Sequence, residues 1–579
     1  MIDPIVLAVG FIAIIVVAAA FGRKFDIAAP LILLVVGVVI GFLPFVPPIE
    51  IEYEVILTGV LPPLLYAAAI KVPIRDFRRN LAPIAGLSVT LVIISAVVCG
   101  VIIHWLLPGL GLPMSIALGA VIAPTDAVAA TSIAKRLGLP DRLVTVLEGE
   151  SLVNDATALV LLRTAIAAAA GSFALWPTIG TFVWAVVGGI VSGVIVGYLA
   201  SLIRRKLRDA VLTTTVSLAV PFIAYLPAEH FGASGVLAVV VAGLIVGHNG
   251  ARGLTAQQRF TERNIWETVQ FILEQGVFLA MGLQLFGLVE ELDNTGAALL
   301  QPILIGLLLV AVLIVLRTIF VGYLLWSQRR NDRRALQRGE QLPLFEERMK
   351  SMPEATGERE QKRNRLIRRR INSYTADLEF LRKEGLNRRG GLVLSWAGMR
   401  GVVTLAAAQS LQIDDVLTPS EQATVVIIAF TVAAVTLFGL GGSLGPIIRL
   451  SKVQRDDEAE KREEFRSLMM ELNKAQLAVL DDPEATKVQG RPVSPELIEN
   501  LRRVYSRTVP SADEVEEAEQ ASQALAIDER IAVEQRMRLA ARDALREAQA
   551  VGTYSSKTLQ TALDLLDIDD ARTSRITGD

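Results

Sequence analysis

Five places put ionisable side chains among apolar residues: Asp126, the run Glu148 to Asp155, Glu274, Arg317 and Arg400. A charge inside an apolar span is costly, so each needs a cause, and function is the first to consider. Asp126 sits in Ala123-Pro124-Thr125-Asp126-Ala127, where Pro124 removes a backbone donor and disturbs the preceding turn. A broken helix is the expected result, and its freed carbonyls and amides can coordinate an ion only where they line a protein cavity. Thr125 and Asp126 are then placed to supply backbone and carboxylate oxygens. Capping of the second half-helix by Asp126 is compatible with that role.

In Glu148-Gly149-Glu150-Ser151-Leu152-Val153-Asn154-Asp155 the polar residues fall on adjoining helical faces, with Glu150 and Asn154 four apart and Ser151 and Asp155 likewise. Hard monovalent cations want oxygen ligands, which a carboxylate beside a hydroxyl supplies. A carboxyl can also hold a proton, and one group that binds either ion but not both is the physical basis of exchange. Burial favours the neutral form of a carboxyl and so brings titration toward physiological pH. The rival reading of Asp155 is a structural Asp paired with an Arg. Charge balance pairs Arg317 with Glu150 and leaves Asp155 for transport. Arg400 lies in Ser395-Trp396-Ala397-Gly398-Met399-Arg400-Gly401, where two glycines suggest a second broken helix and a cation compensates helix-terminal carbonyls. Glu274 is either a gate or ligand, or a Glu hydrogen-bonded between helices. Arg163 is expected to snorkel.

These residues need helices long enough to hold them in lipid. The 579 residues are 52% hydrophobic, and the apolar share is concentrated before Trp326. A span takes about 20 apolar residues. Thirteen segments qualify, at about 5–22, 28–46, 53–70, 80–107, 112–134, 143–170, 178–203, 211–229, 233–248, 265–289, 298–326, 391–410 and 421–448. Loop charges test this count, because Lys and Arg near span ends stay on the cytoplasmic side. One set of loops holds Arg23 and Lys24; Lys71, Arg75, Arg78 and Arg79; Lys135, Arg136 and Arg142; Arg204 to Arg208; and Arg252, Arg259 and Arg263. The alternate loops have no Lys or Arg and include the acidic connections Pro47 to Glu52 and Glu290 to Asp293. The N-terminus is therefore expected outside and the C-terminus inside. The first stretch, Ile5 to Gly22, has no basic region before it and reads as a retained helix.

The expected fold is an all-α polytopic membrane protein of about thirteen transmembrane helices. Helices 5 and 12, seven apart, are discontinuous, as two inverted six-helix repeats would place them. Residues 1–449 form the membrane domain, with 327–390 a cytoplasmic loop whose basic run Arg363 to Arg370 keeps it inside, and 450–579 a cytoplasmic helical tail. In that tail Glu458 to Leu480 and Glu529 to Ala550 carry helical periodicity on a charged background. The tail has no nucleotide loop, metal motif or nucleophile elbow, so neither enzyme activity nor a cofactor is expected, nor any nucleic-acid partner. Cys99, the only cysteine, excludes an intrachain disulfide and reads as a small packing residue.

APTDAV (Ala123 to Val128), EGESLVNDA (Glu148 to Ala156), LPPLLY (Leu61 to Tyr66), an Arg in the eleventh span and WAGMRGVV (Trp396 to Val403) occur together. In this combination the chain, over about Ile5 to Arg449, resembles the bacterial NhaP-type and animal plasma-membrane sodium/proton exchangers of the monovalent cation/proton antiporter superfamily. The resemblance implies a homodimer in the lipid of the plasma membrane. Spans 1–3 and 8–10 would support a core of spans 4–6 and 11–13 that moves like an elevator. It also implies that Asp155, Ser151, Asp126 and the Thr125 backbone face the transported sodium ion, that Asn154 orients the site, and that Glu150 pairs with Arg317. An Asn-Asp pair such as Asn154-Asp155 resembles the electroneutral branch, so one-for-one exchange is expected. Where some relatives carry a further acidic ligand after the LPPLLY-like stretch, this chain has Ala67, Ala68 and Ala69. The residues alone leave open an exchanger preferring potassium or lithium, a cation channel, and a receptor or scaffold without transport.

Overall fold

The computed structural model describes residues 4–25, 29–43, 54–126, 128–169, 175–207, 209–294, 299–339, 387–409, 417–453, 458–488, 491–505 and 527–577, with 367, 371, 374–376, 378 and 411 between them. The Pro47 to Glu52 connection, Arg208 and the basic residues of the Arg363 to Arg370 run lie outside the described residues. The chain divides into two units, residues 1–329 with 386–455, and residues 330–385 with 456–579.

The first unit is built from helices that, apart from the short α4, lie on the apolar segments. In order they are α1 (Pro4–Phe25), α2 (Ala29–Gly41), α3 (Val55–Ala69), the short α4 (Ile74–Arg79), α5 (Leu81–Leu106), α6 (Gly111–Ile122), α7 (Val128–Arg136) and α8 (Asp141–Ala169). There follow α9 (Leu175–Lys206), α10 (Ala210–His230), α11 (Gly235–Gly253), α12 (Ala256–Asn294), α13 (Leu300–Gly339, counted in this unit as far as Arg329), α14 (Arg388–Trp396), α15 (Val402–Gln409) and α16 (Ser420–Ser451). Among the described residues seven helices are long and apolar enough to cross a membrane by themselves. Local signals set several ends: the Asp209 side chain accepts from Leu212 N and caps α10, and Ser234 does the same for α11. Thr418 and Glu421 form a reciprocal capping box at the start of the α16 segment.

Two segments are split, the fifth between α6 and α7 and the twelfth between α14 and α15. Two others run further than hydropathy marks them. The eleventh segment, expected to end at Trp326, continues as helix through Ser327 to Gly339, and the tenth begins at Ala256. Gln, Arg, Glu and Ala are good helix formers, so a helix persists after its apolar stretch stops. Pro221 and Pro227 lie inside α10 without interrupting it.

Helices approach most closely where glycines face backbone. A Cβ on Gly119 of α6 would collide with the Ala96 carbonyl oxygen and come within 3.0 Å of Gly100 N on α5. Small residues at such contacts let packing act at short range where lipid supplies no hydrophobic drive between helices. The α5–α6 pair in turn packs on α8, which carries most of the candidate site. Arg142 Nε donates to Asn80 Oδ1 at 3.0 Å, and Ser88 Oγ donates to the Glu150 carbonyl at 3.1 Å, fixing α8 against the start of α5.

The second unit contains α17 (Glu458–Leu480), a two-strand hairpin of β1 (Lys487–Val488) and β2 (Arg491–Pro492), α18 (Pro495–Tyr505), α19 (Ile527–Val551) and α20 (Ser556–Thr577). Leu480, Val493, Leu497, Leu501, Val533 and Met537 form an apolar core. Arg542 Nη2 bonds Asp567 Oδ1 at 2.9 Å between α19 and α20. Tyr554 donates to Glu471 Oε2 at 2.9 Å, and burial together with that carboxylate pushes its hydroxyl up to about 12, so it stays a donor.

Replacing Gly119 with valine forces α5 and α6 apart. The expected cost is about 1–3 kcal/mol, as for other overpacked interiors, read as a lower unfolding midpoint of the detergent-solubilised protein. A midpoint equal to the wild type would contradict the close approach.

Candidate functional site

The two breaks meet. Asp126 N donates to Met399 O at 2.7 Å, so the two interrupted stretches of backbone touch directly. Arg400 completes the junction. Its Nε donates to Ile122 O, the last residue of α6, at 3.1 Å, and its Nη1 donates to Gly398 O just beyond α14. One guanidinium therefore serves carbonyl ends from both interrupted helices, where the helix dipole is negative. Its backbone amide donates to Thr436 Oγ1 at 3.1 Å. Gly401 is needed because a Cβ there would run into the Asp126 carboxylate.

Behind the junction lies a second network. Glu150 is 2% exposed and Arg317 equally so. Arg317 grips the carboxylate with two parallel bonds, Nη2 to Oε2 at 2.9 Å and Nη1 to Oε1, while its Nε donates to Leu394 O at 2.9 Å. Thr125 Oγ1 donates to Glu150 Oε1 at 2.6 Å. Asn154 Nδ2 donates to Thr125 O at 2.8 Å and to Thr125 Oγ1 at 3.1 Å. Thr125 is thus clamped on both sides. Its carbonyl, which the resemblance turns toward the cation, is here an acceptor for Asn154 with a second lone pair remaining. The Asn154 Oδ1 atom is buried with no hydrogen-bond partner.

In front of the junction is a cavity of about 250 Å³. Pro124, Thr125, Asp126, Ser151 and Asp155 line it together with Glu274 and Gly401. Asp155 is buried and Asp126 half-buried, and both carboxylates belong to this one cavity. Ser151 stands one helical turn before Asp155 on α8, as the spacing requires. The apolar wall includes Leu57, Leu61, Leu64, Leu65 and Phe278. Lys71, Lys135 and Glu148 line the end that reaches solvent, where Lys135 Nζ bonds Glu148 Oε1 at 2.6 Å and the lysine side chain is 62% exposed.

The structure brings Thr125, Asp126, Ser151, Asp155 and Glu274 to one cavity, and sets Glu150, Arg317 and Arg400 behind it. Ala68 faces the same space, while Ala67 and Ala69 are fully buried. Arg163 reaches the surface and bonds Glu229 there. Sequence reading missed Gln270 and treated Lys71 only as a loop charge. Gln270 stands four residues before Glu274, a spacing that signals a shared helix face.

The sodium/hydrogen exchanger transmembrane family profile matches residues 11–450. An uncharacterized sodium/proton exchanger of Escherichia coli K12, YjcE, is 30% identical over 568 residues, covering 94% of each chain. Another from Mycobacterium tuberculosis H37Rv, Rv2287, is 29% identical over 511 residues, 86% of this chain and 83% of that one. A Bacillus subtilis protein described as a sodium, potassium, lithium and rubidium/proton antiporter is 31% identical over 279 residues, 47% of this chain and 42% of its own. The sodium/proton antiporter MjNhaP1 of Methanocaldococcus jannaschii, solved at pH 8, superposes with a TM-score of 0.55 and 17% identity over 78% of this chain and 99% of that one, a likeness of fold. The chain belongs to the sodium/hydrogen exchanger family. It is a multi-pass membrane protein of a transporter family.

Glu150→Gln leaves the Arg317 charge uncompensated away from water and is expected to cost about 3–5 kcal/mol of stability, whereas Glu150→Leu with Arg317→Met regains much of it. Unfolding midpoints of the purified variants decide. A single variant no less stable than the double would show that the pair is not what holds α8 to α13.

Proposed function

We propose that the protein exchanges sodium for protons, one for one, with Asp155 binding either ion in turn. The observation that carries this reading is the pair of carboxylates, Asp155 and Asp126, at the crossing of two broken helices beside a solvent-reaching cavity. A dehydrated cation there has carboxylate, hydroxyl and carbonyl oxygens from Asp155, Asp126, Ser151 and Thr125. Water supplies the proton through the same opening. Glu150 is matched by Arg317, and Arg400 is committed to helix-end carbonyls. Loading by one proton or one sodium ion then leaves the same charge in the moving part, which supports electroneutral exchange.

With the basic loops inside, the Lys71 and Lys135 end of the cavity is cytoplasmic and the conformation faces inward. In this reading thirteen helices cross the plasma membrane in two inverted repeats, and residues 1–449 work as a homodimer. The core around α5 to α8 and α13 to α16 slides against the rest to expose Asp155 on the other side. The second unit adjusts turnover or pH response. Similarity to an antiporter described for sodium, potassium, lithium and rubidium favours one second reading, a broader or potassium-preferring exchanger with the same site.

Cation-dependent proton flux in proteoliposomes tests the reading, with sodium, potassium and lithium compared under clamped membrane potential. Asp155→Asn keeps the shape and removes the titratable charge, so it is expected to abolish flux while folding and dimerisation persist. Wild-type flux in that variant would remove Asp155 from the site, and flux that follows the potential would remove the one-for-one ratio. Truncation after Arg455 is expected to change rate or pH response but retain exchange. Complete loss in a correctly inserted truncation would show that the tail is required for transport.

A further inference from the structure

Glu274 is nine-tenths buried, yet lines the cavity. It is anchored by a chain that begins at the cavity mouth. Lys71 Nζ donates to Gln270 Oε1 at 2.7 Å, and Gln270 Nε2 donates to Glu274 Oε1 at 2.5 Å. A lysine ammonium is only a donor, so it must receive the amide oxygen of Gln270. The amide NH2 is thereby turned toward Glu274, and the chain has a single polarity. Among the described residues Gln270 is the one hydrogen-bond partner of the Glu274 carboxylate, and its bond goes to one oxygen. The other oxygen remains for an ion in the cavity.

The position of Glu274 also differs in kind from those of Asp126 and Asp155. Those two sit at the crossing of α6, α7 and α8, in the body that the exchange reading sets in motion, whereas Glu274 belongs to α12, which packs along α2, α3 and α10 and meets that body at α15 and α16. In that reading Glu274 shares the cavity with Lys135 and Asp155 without travelling with the site.

We propose that Glu274 is a receiving carboxylate on the path, which takes the cation from water at the Lys71 and Lys135 end and passes it to Asp126 and Asp155, and that Lys71 acts through Gln270 to hold it in place. Glu274 is thus an affinity-determining residue for one face of the membrane, and Lys71 and Gln270 are positioning residues. This rests on the exchange reading and adds a direction to it. A fixed carboxylate raises the local cation concentration only on the side where it meets water.

The experiment is sided. Initial sodium-driven proton flux is measured in proteoliposomes of uniform orientation, with sodium presented in turn to the Lys71 face and to the opposite face. Wild type, Glu274→Gln, Lys71→Met and their double variant are compared. Glu274→Gln is expected to raise the sodium KM on the Lys71 face by about three- to tenfold, the scale of one charge in a part-aqueous site, with kcat within about twofold and the opposite-face KM unchanged. Lys71→Met is expected to shift the same KM in the same direction by less, and to add nothing in the double variant. Should Glu274→Gln fail to insert, Glu274→Asp retains the charge on a shorter arm and is expected to raise the same one-sided KM.

An unchanged KM on the Lys71 face, an equal shift on both faces, or full additivity of the two substitutions would each overturn the proposal. Loss of all turnover in a folded Glu274→Gln would also do so, by making Glu274 part of the travelling site. Absence of flux in the wild type is a separate result and bears on the exchange reading itself.

Discussion

The Arg317–Glu150 pair is the constraint on which the rest of the site depends. Two opposite charges almost wholly removed from water are stable only if each is matched in geometry as well as sign. Arg317 meets this with a two-point grip on the carboxylate and a third bond to the Leu394 carbonyl, tying α8, α13 and α14 together. Because Glu150 is satisfied, its oxygens can also orient Thr125, and Thr125 in turn is held by Asn154. The clamp on one broken helix is thus anchored in an ion pair that does not line the cavity, whereas the carboxylates of Asp126, Asp155, Glu148 and Glu274 do.

The junction solves a problem particular to lipid. A helix that stops within the membrane leaves carbonyls and amides that no solvent can satisfy. Here the two interruptions satisfy one another. Asp126 and Met399 share a backbone bond, Arg400 takes the carbonyls of Ile122 and Gly398, and Gly401 makes room for the Asp126 side chain. Irregular backbone is tolerated because it is enclosed by protein on one side and opens to a water-reaching cavity on the other.

Much of this arrangement could be read from residues of the right type in the right place. Pro124 and the glycines around Arg400 marked the interruptions, and the four-residue spacing of Ser151 and Asp155 placed both on one side of α8. Charge balance and the family resemblance both paired Glu150 with Arg317. What escaped was long-range or carried no hydropathy signal. The Lys71 and Gln270 contact joins residues 199 apart, and nothing local to either announces the other. The part of α13 beyond Trp326 and the opening of α12, from Ala256 to Asn264, are polar helix, invisible to a search for apolar runs.

The bond from Arg400 to Ile122 spans 278 residues of chain. During synthesis from the N-terminus, α6 is complete long before the arginine that covers its end has been made. The first half of the protein must therefore wait in the membrane with an unfinished helix terminus, held by the tight α5–α6 contact and by whatever water or neighbouring chain can reach it. Chains stopped short of Arg400 should be the ones that quality control in the membrane recognises, because the polar end they expose has no internal remedy.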